Sequence, residues 1–149
     1  MIQNEDKMIG YCGYNCYLCA ARSDDINLRQ KMVDAWRKYL GHEIYTAENV
    51  ACYGCKSKGD KIADKNCKAR PCARDKGLES CAQCDDFPCD KVKHLIATSL
   101  GLLTYRAPLF KNLTEDEFNL SIQQWNSMPN LIKILVNEGK LPSFILNRI

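Results

Sequence analysis

The chain has 149 residues, 46% hydrophobic and 26% charged, with a formal net charge of +3; these globular values exclude a disordered chain, a collagen and a coiled-coil rod, and the length suits one domain, or one with a small satellite. No apolar run of about 18 residues is present to cross a membrane, and the first eight residues carry Glu5, Asp6 and Lys7 where a secretory leader has its apolar core, so the cytoplasm is the expected compartment. Ten cysteines in a compartment that keeps thiols reduced make metal binding the first reading.

In chain order, Cys12-x3-Cys16-x2-Cys19 comes first. Ser23-Asp24-Asp25 then supplies N-cap chemistry, and Ile26, Met32, Val33, Trp36, Tyr39 and Leu40 recur at helical spacing up to Gly41, which predicts a helix over about 25–40. Residues 45–70, with turn formers, lysines and at most one helical turn near 46–49, read as loops organised by ligands and not by a core. Cys52-x2-Cys55 and Cys67-x4-Cys72 belong to this region and its exit. Pro71 is placed to open a short helix ending at Gly77. Pro88 is placed to open another, with Val92, Leu95 and Ile96 on one apolar face and Cys89 in the first turn, where the helix dipole favours a thiolate. Cys81-x2-Cys84-x4-Cys89 completes the set.

The last sixty residues have no cysteine. Thr114 with Glu117 three residues on predicts a capping box, followed by Phe118, Ile122 and Trp125 at helical spacing. Met128-Pro129 breaks that pattern, Leu131, Ile132, Leu135 and Val136 predict a further helix stopping at Gly139, and Pro142 starts a last turn with Phe144, Ile145 and Ile149. Nothing in this tail carries catalytic chemistry. Its apolar positions are expected to be core.

The chemistry resides in the cysteines. A C-x2-C turn aims two sulfurs at one ion about 2.3 Å away, while nearby N–H groups disperse the thiolate charge. Three such pairs, with four further cysteines, form a strong metal signature. Buried thiols packed as small hydrophobes do not explain three pairs, and a disulfide scaffold does not suit the compartment or the length. His42, just past a helix-ending glycine, and His94, opposite Val92 and Leu95, are not expected to ligate. Two sites of four thiolates and one divalent ion each would shift the formal charge from +3 to about −1. What stays basic is residues 52–76, where Lys56, Lys58, Lys61, Lys65, Lys68, Arg70, Arg74 and Lys76 face only Asp60, Asp64 and Asp75. Charge compensation beside the thiolates is the favoured reading of this stretch, with nucleic-acid binding less favoured because Tyr53 is its one aromatic.

The run Tyr11-Cys12-Gly13-Tyr14-Asn15-Cys16-Tyr17-Leu18-Cys19, then Cys52-Tyr53-Gly54-Cys55, then the segment from Cys72 through Cys81-Ala82-Gln83-Cys84 to Phe87-Pro88-Cys89 resembles the prokaryotic cysteine-rich family catalogued as domain of unknown function 3795. The resemblance spans roughly residues 10–92. It implies zinc binding and supplies no reaction. The spacing of Cys12, Cys16 and Cys19 is also that of the cluster loop in radical SAM enzymes, but Leu18 stands where those carry an aromatic residue and no strand–helix alternation follows.

These readings predict a mostly α, small, irregular, metal-stabilised domain: a cysteine-rich metal-binding region over 8–92, and a helical C-terminal region over 93–149 packed on it as one unit. The expected function is a zinc-binding protein with mainly structural sites and no assigned catalysis. An iron–sulfur redox protein and a nucleic-acid or protein interaction module are the alternatives. All ten cysteines are candidate ligands for two zinc ions. Cys16, Cys19, Cys52 and Cys55 would form one site and Cys72, Cys81, Cys84 and Cys89 the other. Cys12 and Cys67 are then spare, although Cys12 can displace a member of the first site and Cys67 can replace Cys72.

Overall fold

The structure, a computed structural model, describes residues 8–98 and 101–149. It is mostly α, with no strand among the described residues beyond one isolated antiparallel bridge between Ile9 and Asn15. The longest helix, α1 (Ile26–Leu40), forms where the sequence predicts it. Asp25 Oδ1 accepts from the N–H groups of Asn27 and Leu28 at 2.9 and 3.4 Å, and Gly41 closes the helix in the left-handed conformation, φ 68°. Met32, Val33, Trp36, Tyr39 and Leu40 share one buried face. Burying each such large side chain contributes about 1.5–3 kcal/mol.

Against that face pack α6 (Glu115–Ser121) and the 3₁₀ turn Gln123–Trp125. Trp36 stacks on Trp125 with ring centroids 5.5 Å apart, and its indole N–H donates to Ser121 O at 2.8 Å. Tyr39 stacks on Phe110 at 5.8 Å. The remaining helices are α2 (Ala69–Asp75), α3 (Lys93–Thr98), α4 (Gly101–Tyr105), α5 (Ala107–Phe110) and α7 (Met128–Asn137), with a last 3₁₀ turn at Ser143–Arg148. None of the helices among the described residues is long and apolar enough to cross a membrane.

Several local expectations need correction. Pro88 opens no helix: the peptide bond before it is cis, the N–H groups of Val92 and Lys93 both donate to Cys89 O in a turn, and α3 starts only at Lys93, so Cys89 has no helix dipole behind it. α2 starts at Ala69, two residues before Pro71. The Phe118–Trp125 periodicity does not form one helix, because α6 ends at Ser121 and the chain tightens into the 3₁₀ turn that brings Trp125 over Trp36. Residues 45–50 are not ligand-organised loop: Ala47 and Val50 are fully buried and Val50 joins the α1 core.

The capping box at α6 does more than close a helix. Glu117 Oε2 accepts from the Tyr39 hydroxyl at 2.5 Å and from Thr114 N–H at 3.0 Å, and Lys38 pairs with Oε1 at 3.1 Å. These partners, Tyr39 foremost, pull the Glu117 carboxyl down to about 2 from the ordinary 4.5. A folded value below the unfolded one gives stability that is present above the unfolded value and lost as pH falls through the folded one. Glu117→Gln is therefore expected to lower Tm at neutral pH, with variant and parent converging as pH drops from 4.5 toward 2; parallel curves at all pH values would show that the carboxylate charge is not what ties α1 to α6.

The C-terminal helices position the cysteine loops. Asn130 Nδ2 donates to Gly13 O at 2.9 Å, Asn15 N–H to Gln124 O at 2.9 Å, and the Tyr14 hydroxyl to Leu95 O at 2.7 Å. Just beyond α7, the Lys140 ammonium donates to both Ala82 O and Cys84 O, at 3.1 and 3.0 Å. Both cysteine runs are thus fixed from outside by groups the tail supplies.

Candidate metal centre

The first cysteine run is a tight loop, closed by Gly10 N–H to Tyr14 O at 2.8 Å and Gly13 N–H to Gly10 O at 2.9 Å. The Cys52–Cys55 turn lies against it. Tyr11 N–H donates to Cys55 Sγ at 3.4 Å. A Cβ on Gly10 would sit 3.3 Å from Cys55 Sγ and 3.6 Å from Cys16 Sγ, so the bare backbone at Gly10 is what lets both sulfurs crowd it. Gly54 takes φ 92°, the turn geometry its place in a C-x2-C pair demands.

Cys16 and Cys55 bring their thiols to the same side of Gly10 and act on each other electrostatically. In this pair Cys55 is pulled down by the Cys16 thiol first and by Tyr11 N–H and Lys56 further, against the cost of burial. Cys55, and burial with it, push the Cys16 thiol well up. Cys52 N–H donates to Ala21 O at 2.9 Å, and Cys19 and Cys52 both pack on the edge of the aromatic core. Burial pushes Cys19 up to about 11, with Cys52 as its like-charged neighbour.

The later cysteines are arranged differently. Cys72 on α2, Cys81 at the start of the 3₁₀ turn Cys81–Gln83, Cys84 just after it, and Cys89 line one cavity of about 260 Å³. The turn is built by Ser80, whose hydroxyl caps Ala82 N–H while Gln83 reaches back to Ser80 N–H. The ammonium groups of Lys76 and Lys91 donate to Cys84 Sγ and Cys72 Sγ, each at 3.2 Å. The Asp86 N–H, followed by Lys76, lowers the Cys84 thiol, whereas burial raises Cys81 to about 11. Burial pushes the Cys12 thiol up to about 12, with Cys55, Cys67 and Cys81 as its charged neighbours.

Among the described residues no three His, Cys, Asp or Glu side chains are grouped so that they could hold one ion. The structure therefore gathers Cys72, Cys81, Cys84 and Cys89 around one cavity, pairs Cys16 with Cys55, places Cys19 beside Cys52, and closes neither set on a single point. His42 is exposed, its ring edge against Trp36 and Tyr45, and His94 is exposed on α3. The basic stretch is largely engaged within the chain. Lys56 pairs with Glu79 at 3.5 Å, Lys61 lies over the Tyr53 ring, Arg70 binds Asp64 O, Arg74 binds the carbonyls of Cys55 and Ser57, and Lys76 spans Cys84 and Asp86. The sequence reading counts Lys76 among the cations that compensate charge beside the thiolates and does not single out Lys91. Their nearness to Cys72 and Cys89 in the chain was the one available sign of what they contact.

The chain belongs to the family described as protein of unknown function (DUF3795), whose model matches residues 8–94, more than half of its length. All ten cysteines fall inside that match, and the C-terminal helices beyond α3 fall outside it. No curated protein and no solved structure gives a significant match.

Proposed function

We propose that this chain is a small cysteine-rich metal-binding protein of a reducing, cytoplasmic compartment, in which thiolate-held metal organises the loops of 8–92 and the region 93–149 packs on them as one unit. Zinc is the ion proposed for Cys16, Cys19, Cys52 and Cys55. There the Cys16 and Cys55 sulfurs, from separate segments, both stand against Gly10, which supports two of the four ligands a single ion needs. The observation that carries the reading is the gathering of cysteines from separate segments around a shared cavity, with cationic and N–H donors on the sulfurs. Such donors bind thiolates far more strongly than neutral thiols, whose sulfur is a weak acceptor. The sites are structural in this reading. The chain's own groups hold and shield metal, and no general base is assigned.

Metal analysis of protein purified without oxygen tests it. The expected result is stoichiometric metal in both cysteine sets, lost from the first when Cys16 or Cys55 becomes serine. Metal-free protein with unchanged stability would refute it.

A nucleic-acid platform is the weaker reading, because the contacts of Lys56, Lys61, Arg70, Arg74 and Lys76 consume much of the basic stretch. Titration with single-stranded DNA or RNA at physiological salt is expected to show no micromolar binding; tight binding lost on neutralising Lys58, Lys65 and Lys68 would reverse the preference.

A further inference from the structure

Four thiolates on one zinc ion each stand about 2.3 Å from it, so the sulfurs pack around the ion with no space left between them. A cubane cluster places four irons and four sulfides between the same number of cysteines, and its ligands stand back around a void. The Cys72, Cys81, Cys84 and Cys89 set has the second shape. Its cavity, lined by all four cysteines, is about 260 Å³. Cys16 and Cys55 differ within the same molecule: both sulfurs crowd Gly10, 3.6 and 3.3 Å from where a Cβ would stand.

We infer that Cys72, Cys81, Cys84 and Cys89 hold a polynuclear iron–sulfur cluster of the cubane kind in place of a single zinc ion, an inference that rests on the chain being a thiolate metal protein. The walls suit it. Ala69 and Ala73 are buried against the cavity, and Leu78 and Phe87 complete its apolar side, opposite the exposed Lys76, Asp86, Asp90 and Lys91. The charge suits it as well. A cubane with four thiolates is a net anion, and the ammoniums of Lys76 and Lys91, 3.2 Å from Cys84 Sγ and Cys72 Sγ, sit where they neutralise it. These lysines are positioning residues: they touch the ligands, not the irons. Hydrogen bonds and positive charge at the sulfurs favour the reduced cluster, so both lysines raise its reduction potential.

The test uses the full chain, produced with ample iron and purified without oxygen. Iron, acid-labile sulfide and zinc are measured together with the visible spectrum before and after dithionite. The expected result is about four irons and four sulfides per chain, with a broad visible absorption that bleaches on reduction. Cys81→Ser and Cys84→Ser should lose iron, sulfide and colour, whereas Cys67→Ser and Cys16→Ser should keep them. The double variant Lys76→Met, Lys91→Met should keep the cluster at a lower reduction potential; an unchanged potential would overturn the role given to the lysines. If the serine variants do not fold, the composition of the parent protein still decides. Colourless protein with zinc bound by Cys72, Cys81, Cys84 and Cys89 would overturn the cluster and leave the metal-binding reading standing. Absence of any metal would overturn both.

Discussion

Gly13→Ala is expected to cost about 3 kcal/mol or more and to unseat α7 from the first cysteine loop. Two penalties act together. Gly13 has φ 90°, a conformation that costs an L residue about 1–2 kcal/mol. An added Cβ would also lie 2.6 Å from Leu131 Cγ, 3.0 Å from its Cδ2 and 3.1 Å from Ser127 Cβ. Leu131 and Ser127 are both buried, so the clash cannot be relieved by swinging a side chain into solvent. The retreat of α7 would also stretch the Asn130 to Gly13 hydrogen bond. Gly41→Ala and Gly77→Ala are the controls: both have positive φ, 68° and 65°, with no heavy atom within 4 Å of the new Cβ, so only the backbone cost of about 1 kcal/mol applies. Urea unfolding of the three variants measures the difference. A Gly13→Ala protein no less stable than Gly77→Ala would mean that Leu131 gives way and that α7 does not clamp the loop.

Much of this scaffold was legible in the sequence, and the parts that were not have physical reasons. α1 and the capping box of α6 were visible because each combines a cap with a side-chain period, two independent signals agreeing on one segment. Ala47 and Val50 were missed because two small apolar residues among polar ones make no period, yet both are fully buried. Pro88 misled because proline is as much at home in a turn as at a helix start, and only the neighbouring backbone decides. Of the cysteines, the four that nearness along the chain groups together, Cys72, Cys81, Cys84 and Cys89, line one cavity. Nearness carried no information on how far apart the sulfurs stand, which the path of α2 and the Ser80 turn determines. The Lys91 contact with Cys72 was hidden for the same reason: it joins residues 19 apart through the fold.

Removal of metal by a strong chelator is expected to open residues 51–92 while α1 and its partners stay folded. The two regions are held by different forces. Between Cys55 and Lys68 no residue is buried, and the backbone is secured by isolated turn bonds such as Ser57 N–H to Gly54 O at 3.1 Å. Such a segment lacks the apolar burial that offsets the entropy of ordering it. α1 instead buries six side chains and gains the Trp36–Trp125 stack and the indole bond to Ser121, none of which involves a sulfur. Burial raises the thiols of Cys12, Cys19 and Cys81 to about 12, 11 and 11, so without a cation these groups take up protons and lose their hold on one another. Structural metal in small thiolate sites contributes on the order of 10 kcal/mol to folding, more than the polar contacts of this region can replace. Hydrogen exchange read by mass spectrometry should therefore show 51–92 exchanging at least about tenfold faster after chelation, with α1 and α6 still protected. Residues 45–50 should follow α1, because Val50 belongs to its core. Melting of the whole chain at once would mean that the tail depends on the loops it supports, and unchanged exchange throughout would remove metal from any structural role.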